Sequence, residues 1–404
     1  MTRAVRRLLV FSDTWAPQTN GVAGTLQRLA EHAERAAITM HAVTVADPHA
    51  AADARVERWP SRAFWKYPQL RMSAPLMARA AAAIAQFRPD VVHVTTPFGV
   101  GLAGRWAARR AGLPLVTSYH TNFPAYLAHY RLDALGAVGW PFLRWFHNGG
   151  RRTFVPSETV AAELRDRGFH GVRMWSRGVD PARFHPQFRD GAVRAALGLR
   201  PSDVLALHVG RLAPEKSVER AVIACARARA RIEGRIVLAI VGDGPSEQSL
   251  RALAAGDVDV RFLGRQTGRT LSALYASADL FLSPSETETF GNVVLEAMAS
   301  ALPVVGPASG ATAEIVTGES GARYAAGDTD AMAAAIVALA SDADRRRAAS
   351  AAALVRSSTY RWEAIFDGLV AEYALARAEA VGGRGDHRRW SNSQVMRARS
   401  AISR

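Results

Sequence analysis

Short unbroken apolar runs recur along this chain, separated by alanine-rich stretches, and that alternation limits its fold more than any other feature. In the first half the runs are "RLLVFS", "HAVTV", "DVVHVTT", "PLVTSYH", "RTFVPS" and "VRMWS"; in the second they are "VLALHVG", "RIVLAIVG", "VRFLG", "LFLSPS" and "PVVGP". A strand apolar at consecutive positions is covered on both faces, which is the condition of a parallel sheet between helical layers. Stretches such as 22–37 and 100–111 read as the intervening helices. A chain of 404 residues is too long for one ordinary core. The expectation is two doubly wound, Rossmann-like α/β domains facing across a cleft, 1–180 and 181–359. The Pro-, Gly- and charge-rich segment "SRGVDPARFHPQFRDGAVRAALGLRPSD" places the boundary near Asp180. Segment 360–380 sets Trp362, Ile365, Phe366, Leu369 and Tyr373 on one helical face, so it packs on another element. Residues 381–404 change to a basic, polar composition and read as a disordered tail, with a membrane-touching segment as the other reading.

The single cysteine, Cys225, excludes intramolecular disulfides and zinc sites built from several thiolates, and suits a reducing cytoplasm. The start "MTRAVRRLLVFSD" offers four apolar residues before Ser12, too few for a signal-peptide core, and reads as a first buried strand. No apolar run approaches the roughly 20 residues that cross a bilayer. A cytoplasmic protein, soluble or peripheral on the inner face of the membrane, is expected. The net charge of +15 is uneven: residues 1–200 carry 27 Lys+Arg against 13 Asp+Glu, whereas 201–380 carry 18 against 22. A basic first half suits an anionic partner, either lipid headgroups or nucleic acid; an arginine-rich solvated surface accounts for it equally well.

In paired open sheets, ligands bind beyond the carboxyl ends of the strands. Five stretches place polar groups there. "FSDTWAPQTNGVAG" carries Asp13, Asn20 and Gly21 into a helix, and a glycine before a helix lets an anion approach free N–H groups. "SYHTNFPAYLAHY" sets His120, Thr121 and Asn122 after a strand. "HVGRLAPEKSVERAV" turns at Gly210 and Arg211 and reaches Lys216; 49 of the 51 basic residues are arginine, so a lysine here suits a compact point charge on phosphate. "VGDGPSEQSL" brings Gly242 to a tight turn. "SETETFGNVVLEAMAS" places Glu288 before Phe290, Gly291, Asn292 and Val293 at a helix start, and Glu296 one turn inside. Carboxylates only accept, so two of them around an anion-binding helix start fit a ligand with hydroxyls on both sides of its phosphates.

Asp257-Val258-Asp259 imitates a metal-holding Asp-x-Asp pair but precedes its strand instead of following it. There is no H-E-x-x-H, Walker A loop or G-x-S-x-G. Met72, Met77, Trp140, Phe142, Trp145 and Phe146 read as core.

With these stretches in this order, the chain resembles a family 4 retaining glycosyltransferase of the GT-B fold, over roughly residues 5–375. "SETETFGNVVLEAMAS", "VGRLAPEKSVE" and "YHTNFP" carry the resemblance, and "LRWFHN" and "SRGVDPARFHP" are similar to its mannosyl- and glycolipid-synthesising branch. The resemblance implies that the second domain binds a nucleotide sugar, with Arg211 and Lys216 on the diphosphate and Glu296 on the ribose. Glu288 would hold the transferred sugar, and the backbone from Phe290 to Val293 would support sugar and phosphates. Gly21 and His120 would come across the cleft, His120 near the reacting sugar. Helix 360–380 would return to the first domain. No metal or cofactor is implied. The implied reaction is hexose transfer, first among the candidates mannose from GDP-mannose, to a lipid or glycan acceptor at an anionic membrane. The alternative is a UDP-glucose-, UDP-glucuronate- or UDP-sulfoquinovose-dependent diacylglycerol glycosyltransferase. A nucleic-acid-binding protein would use the positive charge but gives no reason for the acids at the strand ends. An epimerase, or a phosphorylase with pyridoxal phosphate, is the remaining alternative.

Overall fold

Strand β1 (Arg7–Phe11) shows how an unbroken apolar run is used. Leu8 and Val10 enter one core layer with Leu26 and Leu29 of the helix Gly21–Arg35. Leu9 and Phe11 enter the opposite layer with Ala80, Ile84, Ala103 and Ala107 of two other helices. Every residue after Arg7 is buried, so no polar alternation survives. The same division recurs at β10 (Val204–Val209): Leu205, Leu207 and Val209 serve one layer, Val204 and Ala206 the other.

The computed structural model describes residues 4–18, 20–64, 67–120 and 133–380. The remaining strands of the first sheet are β2 (Thr39–Val45), β3 (Val56–Trp59), β6 (Val91–Val94), β7 (Leu115–Ser118), β8 (Arg152–Val155) and β9 (Val172–Met174). Their order is β3-β2-β1-β6-β7-β8-β9, all parallel. The second sheet adds β11 (Ile236–Val241), β12 (Val260–Gly264), β13 (Leu280–Leu282), β14 (Val304–Pro307) and β15 (Gly321–Tyr324), in the order β12-β11-β10-β13-β14-β15. This sheet too is parallel, so the two doubly wound α/β halves are present. In each sheet the strand order reverses direction once, between β1 and β6 and between β10 and β13, which opens a crevice at the strands' carboxyl ends.

Three elements lie outside the apolar runs. β3 and β15 are edge strands. The third is an antiparallel hairpin of β4 (Arg62–Phe64) and β5 (Tyr67–Met72). Arg71 there donates to the Ala46 carbonyl at 2.7 Å and to Ser61 Oγ at 2.9 Å, so its guanidinium is spent within the fold. Lys66, Thr121, Asn122 and the tail 381–404 lie outside the described residues. Among the described residues no helix is long and apolar enough to cross a membrane.

The chain crosses between the halves twice, side by side. Val179 pairs in parallel with Arg361 and its N–H donates to the Tyr360 carbonyl at 3.0 Å. Helix 362–380 then buries Phe366, Leu369, Tyr373 and Ala376 against β1 and its neighbours. Arg152 binds Glu372 at 2.9 Å and also Glu379, and Arg377 binds Asp90 at 2.6 Å, fixing the helix along its length. Gly178 has no room for a side chain at the crossing, since a Cβ would stand 2.8 Å from the Trp362 ring and backbone. Gly178→Ala therefore overpacks the crossing and should cost about 1–3 kcal/mol. Urea denaturation with an unchanged midpoint would show that Trp362 yields freely.

Candidate active site

The two crevices face each other and enclose one cleft of about 460 Å³. The turn after β1 contributes Asp13, Asn20 and Gly21, and β6 leads into Thr95 and Thr96. Ser118 ends β7 and is followed by His120, and Arg177 follows β9. From the second half come His208, Gly210, Arg211, Lys216, Ser283, Ser285, Glu288 and the run Phe290–Val293. Twelve of the sequence-predicted residues are thus brought together in one lining: Asp13, Asn20, Gly21, His120, Gly210, Arg211, Lys216, Glu288, Phe290, Gly291, Asn292 and Val293. Gly242 and Glu296 stand outside it.

On the first wall the polar side chains are largely committed to the fold. Asp13 is buried; its carboxylate accepts from Thr96 Oγ1 at 2.6 Å and from the N–H groups of Val100 at 2.9 Å and Gly101 at 3.3 Å. It therefore caps the helix Gly99–Arg110, and burial raises its pKa despite those three bonds. Asn20 caps the helix Gly21–Arg35, accepting from Val22 N–H at 3.1 Å and Ala23 N–H at 2.9 Å, while its amide donates to Thr14 Oγ1 at 2.7 Å. His120 receives an Arg177 N–H on Nδ1 at 2.6 Å and has Nε2 at 2.8 Å from Ser118 Oγ. Burial, with Arg177 next, pushes its pKa well below the ordinary histidine value. It is a neutral ring with both nitrogens engaged.

The second wall carries the opposed charges. Lys216 Nζ is paired with Glu288. The loop bearing Glu288 is pinned by Ser285 Oγ and Thr287 Oγ1, which donate to the Glu215 carbonyl at 3.0 and 3.1 Å. Arg211 is partly desolvated, which lowers its pKa, with Glu215 and Asp243 opposing that shift. Gly291, at φ 92°, turns the chain into the helix Asn292–Ala299 without a side-chain cap. The N–H groups of Asn292 and Val293 have no acceptor among the described residues. A cation, a lysine and two free N–H groups on one wall form an anion site. His208, missed in sequence, lines the same wall; its Nδ1 donates to the Leu282 carbonyl at 3.0 Å and burial lowers its pKa to about 4. The visible signal was a polar residue inside the apolar run "VLALHVG".

Gly242 supports this wall from behind, since a Cβ there would stand 1.8 Å from the Gly210 carbonyl oxygen. Glu296 accepts the Tyr275 hydroxyl at 3.0 Å, and burial pushes its carboxyl up to about 7 against the smaller pull of Tyr275, Arg183 and Arg28. Asp257 and Asp259 are spent on ion pairs with Arg229 and Arg235. Among the described residues no group of three or more His, Cys, Asp or Glu side chains is placed to hold a metal ion.

The halves also touch directly. Thr289 Oγ1 donates to the His120 carbonyl at 3.3 Å, and a Cβ on Gly21 would lie 3.2 Å from Asn292 Nδ2. Glu314 reaches over to the helix Glu158–Asp166, accepting the Glu158 N–H at 2.9 Å and the Thr159 N–H at 2.6 Å.

Two facing parallel-sheet domains with an anion site on the second wall define the GT-B class of glycosyltransferase. A sucrose-phosphate synthase from Thermosynechococcus elongatus shares the fold with a TM-score of 0.73 at 19% identity, over 93% of this chain and all of that one. Residues 19–183 match the model of Glycosyltransferase Family 4 and residues 203–342 that of Glycosyl transferases group 1. A GDP-mannose-dependent alpha-mannosyltransferase of Mycobacterium tuberculosis is 34% identical over 77% of this chain and 81% of its own length. The sulfoquinovosyl transferase SQD2 of Arabidopsis thaliana is 36% identical over 74% of this chain and 59% of its own. The chain belongs to glycosyltransferase family 4 and is an enzyme of that family.

The Glu296 shift has a stability consequence with a definite sign. Its folded pKa lies above the ordinary 4.5, so protonation favours the folded chain; the stabilisation is complete below about 4.5 and is lost as pH rises through about 7. Glu296→Gln keeps an acceptor for Tyr275 and removes the charge. Its stability should exceed that of the parent at pH 8, by on the order of 2 kcal/mol, and equal it near pH 4.5. Melting curves at the two pH values that show no pH-dependent difference would refute a raised Glu296.

Proposed function

We propose that the enzyme transfers a hexose from a sugar nucleotide with retention of anomeric configuration. The observation that carries this reading is the convergence of Arg211, Lys216 and the N–H groups of Asn292 and Val293 on one wall of the cleft. Breaking the anomeric bond develops positive charge on the sugar and negative charge on the diphosphate, and those groups stabilise the leaving diphosphate where its charge appears. The role asks for no metal ion or cofactor. Glu288 exchanges its bond to Lys216 for sugar hydroxyls as the diphosphate draws the lysine away. Glu296, one turn inside the helix, accepts from the ribose. His120 acts as a neutral wall beside the sugar, since its nitrogens are engaged and protonation is suppressed.

The relatives support mannose from GDP-mannose as the donor, through the Mycobacterium tuberculosis enzyme so named. The second reading is a UDP-sugar transferred to diacylglycerol, and the Arabidopsis thaliana relative, named a sulfoquinovosyl transferase, supports it only in that its sugar is not mannose. Differential scanning fluorimetry with each nucleotide separates them. GDP should raise the melting temperature and UDP should not, and Lys216→Ala should abolish the shift and lower kcat at saturating donor about 10²–10³-fold. Protection by UDP alone would transfer the assignment to the second reading; near-normal kcat in the variant would remove Lys216 from the chemistry.

A lipid or glycan acceptor presented at an anionic membrane is supported by a basic aromatic face on the first half. Trp145, expected in the core, is 54% exposed and Trp106 39%; the Arg110 guanidinium lies 5.8 Å from the Trp106 ring and Arg109 follows on the same helix, while Arg105, 3.8 Å from the Trp145 ring, is buried and donates to the Phe146 and Trp145 carbonyls. Exposed indoles among cations suit the headgroup region. Binding to phosphatidylglycerol vesicles should fall with added salt and in Trp145→Ala. Equal binding to neutral vesicles would exclude the charge-driven contact.

A further inference from the structure

Arg177 is buried to 5% exposure in the cleft wall without a carboxylate partner among the described residues. The other two cations of the cleft have acids beside them: Lys216 is paired with Glu288, and Arg211 lies near Glu215 and Asp243. Arg177 Nη1 donates to the carbonyls of Trp175 at 3.1 Å and Ser176 at 3.3 Å, and Nη2 donates to His120 Nδ1 at 2.6 Å. These acceptors are neutral, and they use three of the five N–H donors a guanidinium carries. Burial pulls the group down to about 9, so it stays a cation at neutral pH.

The surrounding groups cannot supply the missing charge. A guanidinium only donates, so His120 accepts on Nδ1 and carries its proton on Nε2, directed at Ser118 Oγ. Ser118 in turn meets His93 Nε2 at 3.0 Å, and His93 Nδ1 meets Tyr373 of helix 362–380 at 2.7 Å. His93 is held at about 3 and Tyr373 well above its ordinary value, both by burial, so the line from Arg177 to the returning helix is neutral throughout. His147, which also lines the cleft, is neutral for the same reason. A desolvated cation facing a cleft, with donors to spare and no acid, is completed by an anionic ligand.

We propose that Arg177 binds a substrate oxyanion distinct from the donor diphosphate: a carboxylate or sulfonate on the transferred sugar, or the phosphate of a lipid acceptor. The assignment of the diphosphate to the opposite wall rests on the function proposed above. Arg177 follows β9 on the first wall, beside His120, whose carbonyl meets Thr289 next to Glu288. That places the cation against the region where sugar and acceptor would meet.

Calorimetry on the full chain tests this with matched pairs: UDP-glucose against UDP-glucuronate, GDP-mannose against GDP-mannuronate, and dioctanoylglycerol against dioctanoyl phosphatidate. The anionic member of at least one pair should bind about 10- to 100-fold tighter, the range of a charge-assisted hydrogen bond. Arg177→Met should abolish that preference and Arg177→Lys should keep part of it, while GDP or UDP binds all three proteins equally. A preference among the nucleotides assigns the anion to the sugar; a preference among the lipids assigns it to the acceptor. No preference in any pair, or one that survives Arg177→Met, overturns the proposal. If Arg177→Met does not fold, an undiminished preference in Arg177→Lys overturns it as well. Failure of both GDP and UDP to bind would refute the donor reading, while the lipid pair still decides the role of Arg177.

Discussion

The paired crossing at Gly178–Val179 and Tyr360–Trp362 is the constraint on which the rest depends. Each sheet alone offers half a crevice. The cleft exists because the chain leaves the first half and returns to it through adjacent strands of backbone, joined by one parallel bridge. The returning helix then anchors on the first half through Phe366, Leu369 and Tyr373, so the second half is tethered at both ends to one site. Arg28 reinforces the joint, binding Asp180 at 3.3 Å and lying 5.5 Å from the Trp362 ring. Two adjacent tethers permit rotation about the crossing and oppose sliding, the geometry of a hinge.

Charge in the cleft is distributed by wall. The second wall holds its lysine and its glutamate against each other, so both reactive groups are satisfied before any ligand arrives. The first wall holds a cation surrounded by neutral histidines, and the acid among its described lining residues, Asp13, is spent on a helix cap. A ligand bound as proposed above would exchange an ion pair on one side and supply a counter-charge on the other.

The fold was legible because a parallel sheet covered on both faces writes itself as unbroken apolar runs, and eleven such runs became β1, β2, β6–β9 and β10–β14. The strands β3 and β15 and the hairpin escaped for the converse reason: "VERW" and "GARY" are half-polar, so no unbroken apolar run marks them. Residues at strand ends were legible as a site by position, since topology alone delivers them to the crevice. Their individual partners were not. Glu296 meets Tyr275 twenty-one residues upstream, and nothing local announces that bond. Arg177 is one arginine among 49, and only its burial in the cleft wall without an acid separates it from the rest. Asn20 and Asp13 read as ligand-facing polar groups, yet their side chains cap helices, because helix starts converge where ligands bind.

The contacts between the halves lie beside the site they enclose. Among the described residues, contacts across the cleft include Thr289 to the His120 carbonyl, Gly21 against Asn292, and Glu314 on the helix that begins at Glu158. None of these three is apolar, and the first two place a site residue or its neighbour at the contact itself. Glu314 serves as a cap for a helix of the other half, so opening exposes that helix start to water, which satisfies it nearly as well. The direct contacts therefore hold the halves together only weakly. A ligand that bridges Asn292 and Val293 on one wall to the cation on the other would add its binding energy to the closed form alone. Such a ligand would favour the closed arrangement by its differential binding to it.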